Sequence, residues 1–167
     1  MEITLLISFL CLLTCTVSMV KMFGVPPSLS DTFYLLQNKY PNKSTKWLFT
    51  ILCFTTMFTV LIPWLDISKE SIQFLCFMAA SGLGFVGAAP HFKGYEYNIH
   101  VAGTIFCALG SQLWLLLSGY WYAPLIALAI MAIPAFKQKK NYVFYAEMAA
   151  FLSTYLGLSI EYIKKLL

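Results

Sequence analysis

The sequence predicts an all-α integral membrane protein, a bundle of six transmembrane helices forming one domain. Three observations carry that prediction. Hydrophobic residues make up 60% of the 167 residues and charged residues only 11%, and mean hydropathy is +0.76. A soluble domain carries about 25% charged residues, and so few charges cannot cover a soluble surface of this size. The same figures exclude a disordered chain and a fibrous repeat. The apolar residues also fall into six stretches close to the roughly 20 residues that a bilayer core about 30 Å thick requires. These are Ile3–Met22, Trp47–Leu65, Ile72–Pro90, Ile99–Ser118, Trp121–Phe136 and Tyr142–Tyr162. Finally, Trp47, Trp64, Tyr120, Trp121, Tyr122 and Tyr142 gather at the ends of those stretches, as an aromatic belt does at the two interfaces.

The first stretch reads as a true span. It begins with Glu2 and has no Lys or Arg before its apolar run, and no A-x-A cleavage site follows it, so it does not read as a signal peptide. Pro26 and Pro27 forbid its continuation. Ser30 or Asp31 is then expected to cap a new helix by accepting backbone N–H bonds. That helix mixes Phe33, Tyr34, Leu35, Leu36 and Tyr40 with Gln37, Asn38 and Lys39, a pattern suited to lying flat in the interface.

The third stretch carries Gly82, Gly84 and Gly87 in a GxGxxG spacing. A dinucleotide site needs that motif between a strand and a helix start, and here it lies inside an apolar span. Small residues in membrane helices let backbones approach closely. The third span is therefore expected at the centre of the bundle, packed on a fourth span that offers Ala102, Gly103, Ala108, Gly110 and Ser111. Gly119-Tyr120-Trp121 makes a tight turn into the fifth span, which is the shortest. Cys11, Cys15, Cys53, Cys76 and Cys107 all sit in apolar runs with no CxxC pair, and read as buried small hydrophobes.

The formal net charge is +4, yet all 11 basic residues are Lys. Nucleic-acid readers lean on the bidentate Arg fork, so the balance points to membrane topology and no nucleic-acid partner. Lys21, Lys39, Lys43, Lys46, Lys93, Lys137, Lys139 and Lys140 lie at one face. Lys69, Lys164 and Lys165 lie at the other. The positive-inside rule puts the first set in the cytoplasm and both termini outside it. The sequon Asn42-Lys43-Ser44 would then go unused.

Polar residues within or beside the spans are the functional candidates. Glu147 lies about five residues into the sixth span, roughly 7–8 Å along the helix, and intramembrane carboxylates usually face a bundle interior or a cavity. Gln112, near mid-membrane in the fourth span, is either interhelical hydrogen-bond glue or a cavity-lining group. His91 and His100 flank the loop after the third span. Ser28, Ser30, Asp31, His91, His100 and Glu147 thus map to one side of the membrane. Two His with a carboxylate suit a divalent metal such as zinc with an open position, able to activate water. Asp31, Glu147 and Ser30 are then the candidate catalytic groups, and His91, His100 and Asp31 the candidate ligands. A proton relay, an anion vestibule or ordinary interfacial polarity accounts for the same set.

The Pro-rich turn with Ser-x-Ser-Asp, followed by loop histidines, loosely resembles the metal-dependent membrane hydrolase superfamily of alkaline ceramidases and progestin-type receptors. That resemblance implies a seven-span bundle, zinc held by three histidines, and an Asp and a Ser nearby. Only Ser30, Asp31, His91 and His100 match. A third histidine, a late HxxxH pair and one span are missing. More broadly, the chain resembles the small, uncharacterised six-span membrane proteins of bacteria and their phages, which implies the inner membrane but no activity. Three classes of function stay open. They are a small transporter, channel-like or accessory protein with a polar cavity at the cytoplasmic side, a metal-dependent lipid hydrolase, and a structural partner of another membrane protein or of a second copy in a homo-oligomer.

Overall fold

The structure, a computed structural model, describes residues 2–41 and 43–167. Asn42, the acceptor of the sequon, lies outside the described residues, as do the side chains of Glu2, Lys43, Thr45 and Lys46. Every regular element among the described residues is helical: α1 (Glu2–Phe23), α2 (Thr32–Lys39), α3 (Lys43–Ile67), α4 (Gln73–Ala88), α5 (Glu96–Leu117), α6 (Tyr122–Gln138) and α7 (Tyr142–Leu166). Short 3-10 turns, Glu70–Ile72 and Ala89–His91, flank α4. Five segments are long and apolar enough to cross a membrane: Ile3–Phe23, Trp47–Ile67, Glu70–His91, Glu96–Leu117 and Tyr142–Leu166. The protein is therefore a membrane-embedded helical bundle. The sixth apolar helix, α6, has 17 residues, which at 1.5 Å per residue reaches only about 25 Å.

Membrane helices gain little from burying apolar side chains against one another, because lipid is equally apolar. Close van der Waals packing through small residues takes over. The α4–α5 pair shows this most fully. A Cβ on Gly82 would stand 2.6 Å from the Gly103 carbonyl oxygen and collide with the Cys107 amide nitrogen. One on Gly103 would stand 2.7 Å from the Gly82 carbonyl, and one on Gly110 2.7 Å from the Ala79 amide. The other two α4 glycines face α3, Gly84 toward Met57 Sδ and Gly87 toward Cys53. As a result α4 is the most enclosed span, with 56% of its apolar window buried against 17% for α1.

α1 packs on α3 and α6 packs on α7, while α7 reaches α5 and α3 by fewer close approaches. The core at the end away from α2 gathers Leu75, Cys76, Trp114, Leu115 and Leu158, all buried. Polar bonds close that end. Ser68 Oγ donates to the Trp64 carbonyl and Gln73 Nε2 to the Leu65 carbonyl, satisfying carbonyls left open where α3 ends. Trp114 Nε1 donates to Ser68 Oγ at 2.7 Å. Lys165 pairs with Asp66 at 2.8 Å, tying α7 to α3. Tyr120 donates to Glu161 and accepts from Lys164.

Two sequence expectations need correction. The side chain of Asp31, which precedes α2, makes no capping bond. Its carboxylate lies against His100 instead, and the Asp31 amide donates to Ser28 Oγ at 2.9 Å. Of the five cysteines only Cys76 is buried. The others are partly buried, and Cys15, Cys53 and Cys107 line a cavity.

Candidate functional site

The candidate residues meet at the end of the bundle that carries α2. Gly24, with φ +72°, turns the chain as α1 ends, and Pro26 and Pro27 keep the next residues out of a helix. The segment 25–31 folds back onto the start of α7. The Phe144 amide donates to the Pro27 carbonyl at 3.1 Å, and Asn141 Nδ2 to the Val25 carbonyl at 2.9 Å.

Glu147 is the main anchor. Its carboxyl accepts the Leu29 amide at 2.5 Å, the Ser30 amide at 3.4 Å and the Ser30 hydroxyl at 2.5 Å. The single hydrogen of Ser30 is used on Glu147, so Ser30 Oγ can only accept from Ser28, 3.2 Å away. Ser28 Oγ in turn accepts the Asp31 amide. The result is an ordered chain, Ser28 to Ser30 to Glu147, which binds the loop to α7 through its backbone and its hydroxyls together.

On its other side the same segment is tied to α5. Asp31 Oδ1 lies 3.3 Å from His100 Nε2, with His100 buried and Asp31 partly exposed. The Tyr34 ring meets the His100 ring edge-on at 5.8 Å. His91 is engaged elsewhere. Thr50 donates its hydroxyl to the Gly87 carbonyl at 2.7 Å, and His91 Nε2 lies 2.9 Å from Thr50 Oγ1, with its ring beside that of Trp47 at 4.6 Å. The candidate set therefore divides into Ser28, Ser30 and Glu147 in one cluster, Asp31 and His100 in a second, and His91 in a third.

A three-ligand zinc site with an open position needs three donors around one point. No group of three His, Cys, Asp or Glu residues able to hold a metal occurs among the described residues. Asp31 and His100 supply two, and the His91 ring is turned to Thr50. These residues do not fit the zinc set that the hydrolase resemblance implies.

Beneath the loop lies a cavity of about 90 Å³ between α1, α3, α4, α5 and α7. Glu147 and Ser30 stand at its loop end. The rest of its wall is mostly apolar, with Leu83, Val86 and Phe151 and the thiols of Cys15, Cys53 and Cys107. Gln112 is not part of that wall. Its Nε2 donates to Ser111 Oγ, the Ala150 carbonyl and Thr154 Oγ1, and its Oε1 accepts from Ser153, which joins α5 to α7. The convergence of three thiols from three helices on one cavity leaves no spacing signal in the sequence. The inward aim of Glu147 does leave one, because Ala150, Phe151 and Thr154 follow it at i+3, i+4 and i+7 on a single helix face.

Comparison of the chain with family models, curated proteins and solved structures gives no match.

Proposed function

We propose that this is a six-span, transport-like or accessory membrane protein whose working part is the cavity under residues 25–31 and whose gate is that loop. One observation carries the reading: Glu147 is at once part of the cavity wall and the acceptor that holds the loop shut. An ion would meet a largely apolar wall at high cost, so the cavity suits a small apolar molecule or the apolar part of an amphiphile. In this reading α6 crosses with its ends completed by Trp121 and Lys139, α2 lies along the interface, and both termini share a side. The lysine count supports placing the loop at the cytoplasmic face of a bacterial inner membrane.

Cysteine accessibility tests the gate. With the other four cysteines replaced by Ala, Cys107 in the full chain should resist a charged methanethiosulfonate reagent. Glu147→Gln should speed its labelling about tenfold, equivalent to roughly 1.4 kcal/mol lost from the closed state. Equal rates in the two proteins would overturn the reading.

A further inference from the structure

We propose that the cleft between α2 and the start of α5 is a binding site for an organic ammonium group. The cleft is separate from the cavity, and segment 29–34 forms the wall between them. Leu29, Ser30 and Thr32 line the cavity on one side, and Asp31, Phe33 and Tyr34 line the cleft on the other. The cleft has a volume of about 390 Å³ and is completed by Gln37, Pro90, Glu96 and Tyr97.

Charge gives the first argument. This end of the molecule carries eight of the chain's 11 lysines and three of its seven acidic residues. One of the three, Glu147, faces the cavity. The other two, Asp31 and Glu96, both line the cleft, and no lysine among the described side chains does. Lys39, the only cation of α2, lies over the Phe23 and Tyr40 rings at 5.2 and 5.7 Å. The cleft is thus an acidic spot on a basic face, and its sign selects a cation.

The wall gives the second argument, independent of the first. Tyr34 and Tyr97 line the cleft with the two carboxylates and present accessible ring surface, while Phe33, also in its wall, is buried. Ring faces attract cations, and aromatic walls with nearby carboxylates recognise alkylated ammonium groups better than small, tightly hydrated metal ions. Burial first, and then the neighbouring Asp31 and Glu96 carboxylates, hold the Tyr34 phenol above its ordinary pKa. Both acids therefore act on the same ring. His100 fixes Asp31 at the mouth of the cleft.

An ammonium group in this cleft comes from a free amine or from the headgroup of a zwitterionic lipid, and the test separates the two. The probe is tetramethylammonium chloride titrated into the full-length protein in maltoside detergent. Saturation-transfer NMR reads transfer from the protein to its methyl protons. Saturable transfer that persists in excess sodium chloride at fixed ionic strength is expected. Glu96→Gln and Tyr97→Ala, both at accessible positions, should each weaken binding at least tenfold with the fold retained by circular dichroism. Phosphatidylcholine nanodiscs that abolish the signal, where phosphatidylglycerol nanodiscs do not, identify the lipid headgroup as the ligand. Signal retained in both identifies a free amine. Absence of saturable transfer, or unchanged binding in both variants, would overturn the proposal. None of these outcomes bears on the labelling of Cys107, so this site and the gate stand or fall separately.

Discussion

The α4–α5 seam and the junction between α7 and the rest of the bundle solve the same problem by opposite means. The seam uses glycines and no polar side chain. Gly82, Gly103 and Gly110 bring the two backbones into contact along the crossing, and that contact has one geometry. The α7 junction uses polar anchors at separate points, with Glu147 at one end, Gln112 in the middle and Lys165 at the other end. Between Glu147 and Gln112 the helices leave room for the cavity, and beyond Gln112 the α7 backbone at Gly157 packs closely on Leu115 and Trp114. Backbone contact over a whole face leaves no alternative arrangement, whereas a few hydrogen bonds can break one at a time. The seam is therefore the fixed part of the molecule, and the α7 junction with its loop is the part able to move.

Substitution at the seam should have the largest effect. Even a methyl group on Gly82 collides with the backbone of α5, so Gly82→Leu should cost about 3 kcal/mol or more and abolish the folded fraction recovered from detergent. Comparable yields of Gly82→Leu and wild-type protein would break the comparison. Loss of the loop anchor comes next. Glu147→Leu leaves the Leu29 and Ser30 amides without their acceptor, at a cost of about 2–3 kcal/mol. Thermal unfolding should show the loss, and Cys107 labelling should accelerate beyond that of Glu147→Gln.

The middle anchor should count for less. Interhelical hydrogen bonds in membranes average about 0.6 kcal/mol and reach about 1.7, so Gln112→Leu should lower stability by roughly 1 kcal/mol while leaving Cys107 protected. Equal exposure of Cys107 in Gln112→Leu and Glu147→Gln would show that the gate is the whole α7 junction rather than the loop. The smallest effect is a gain. Ala108→Val adds two methyl groups to the cavity wall and should stabilise by about 0.5–1 kcal/mol, with slower labelling of Cys107.

Much of the architecture was legible from composition and spacing. The helical membrane class followed from too few charges and from apolar stretches of bilayer length. The α4–α5 contact followed from small residues at helical spacing, since no other residue lets two backbones touch. The inward aim of Glu147 followed from the cost of a carboxylate facing lipid. The partner of Glu147 did not follow, because it is the backbone of residues 117 and 118 positions earlier, and backbone donors carry no sequence signature. The separation of His91 from His100 was equally hidden. Both fall at one face in a topology drawing, yet one ring turns to α3 and the other to α2.

The sequence by itself determined the medium, the helices and the residues able to pack without gaps, because these depend on local apolarity, helical period and side-chain size. Tertiary structure alone decided which polar groups meet. Ser30 with Glu147, Asp31 with His100, and three thiols around one cavity are pairings across distant parts of the chain. They are set by how whole helices cross, and helix crossing is a property of faces in three dimensions that no single stretch of sequence contains.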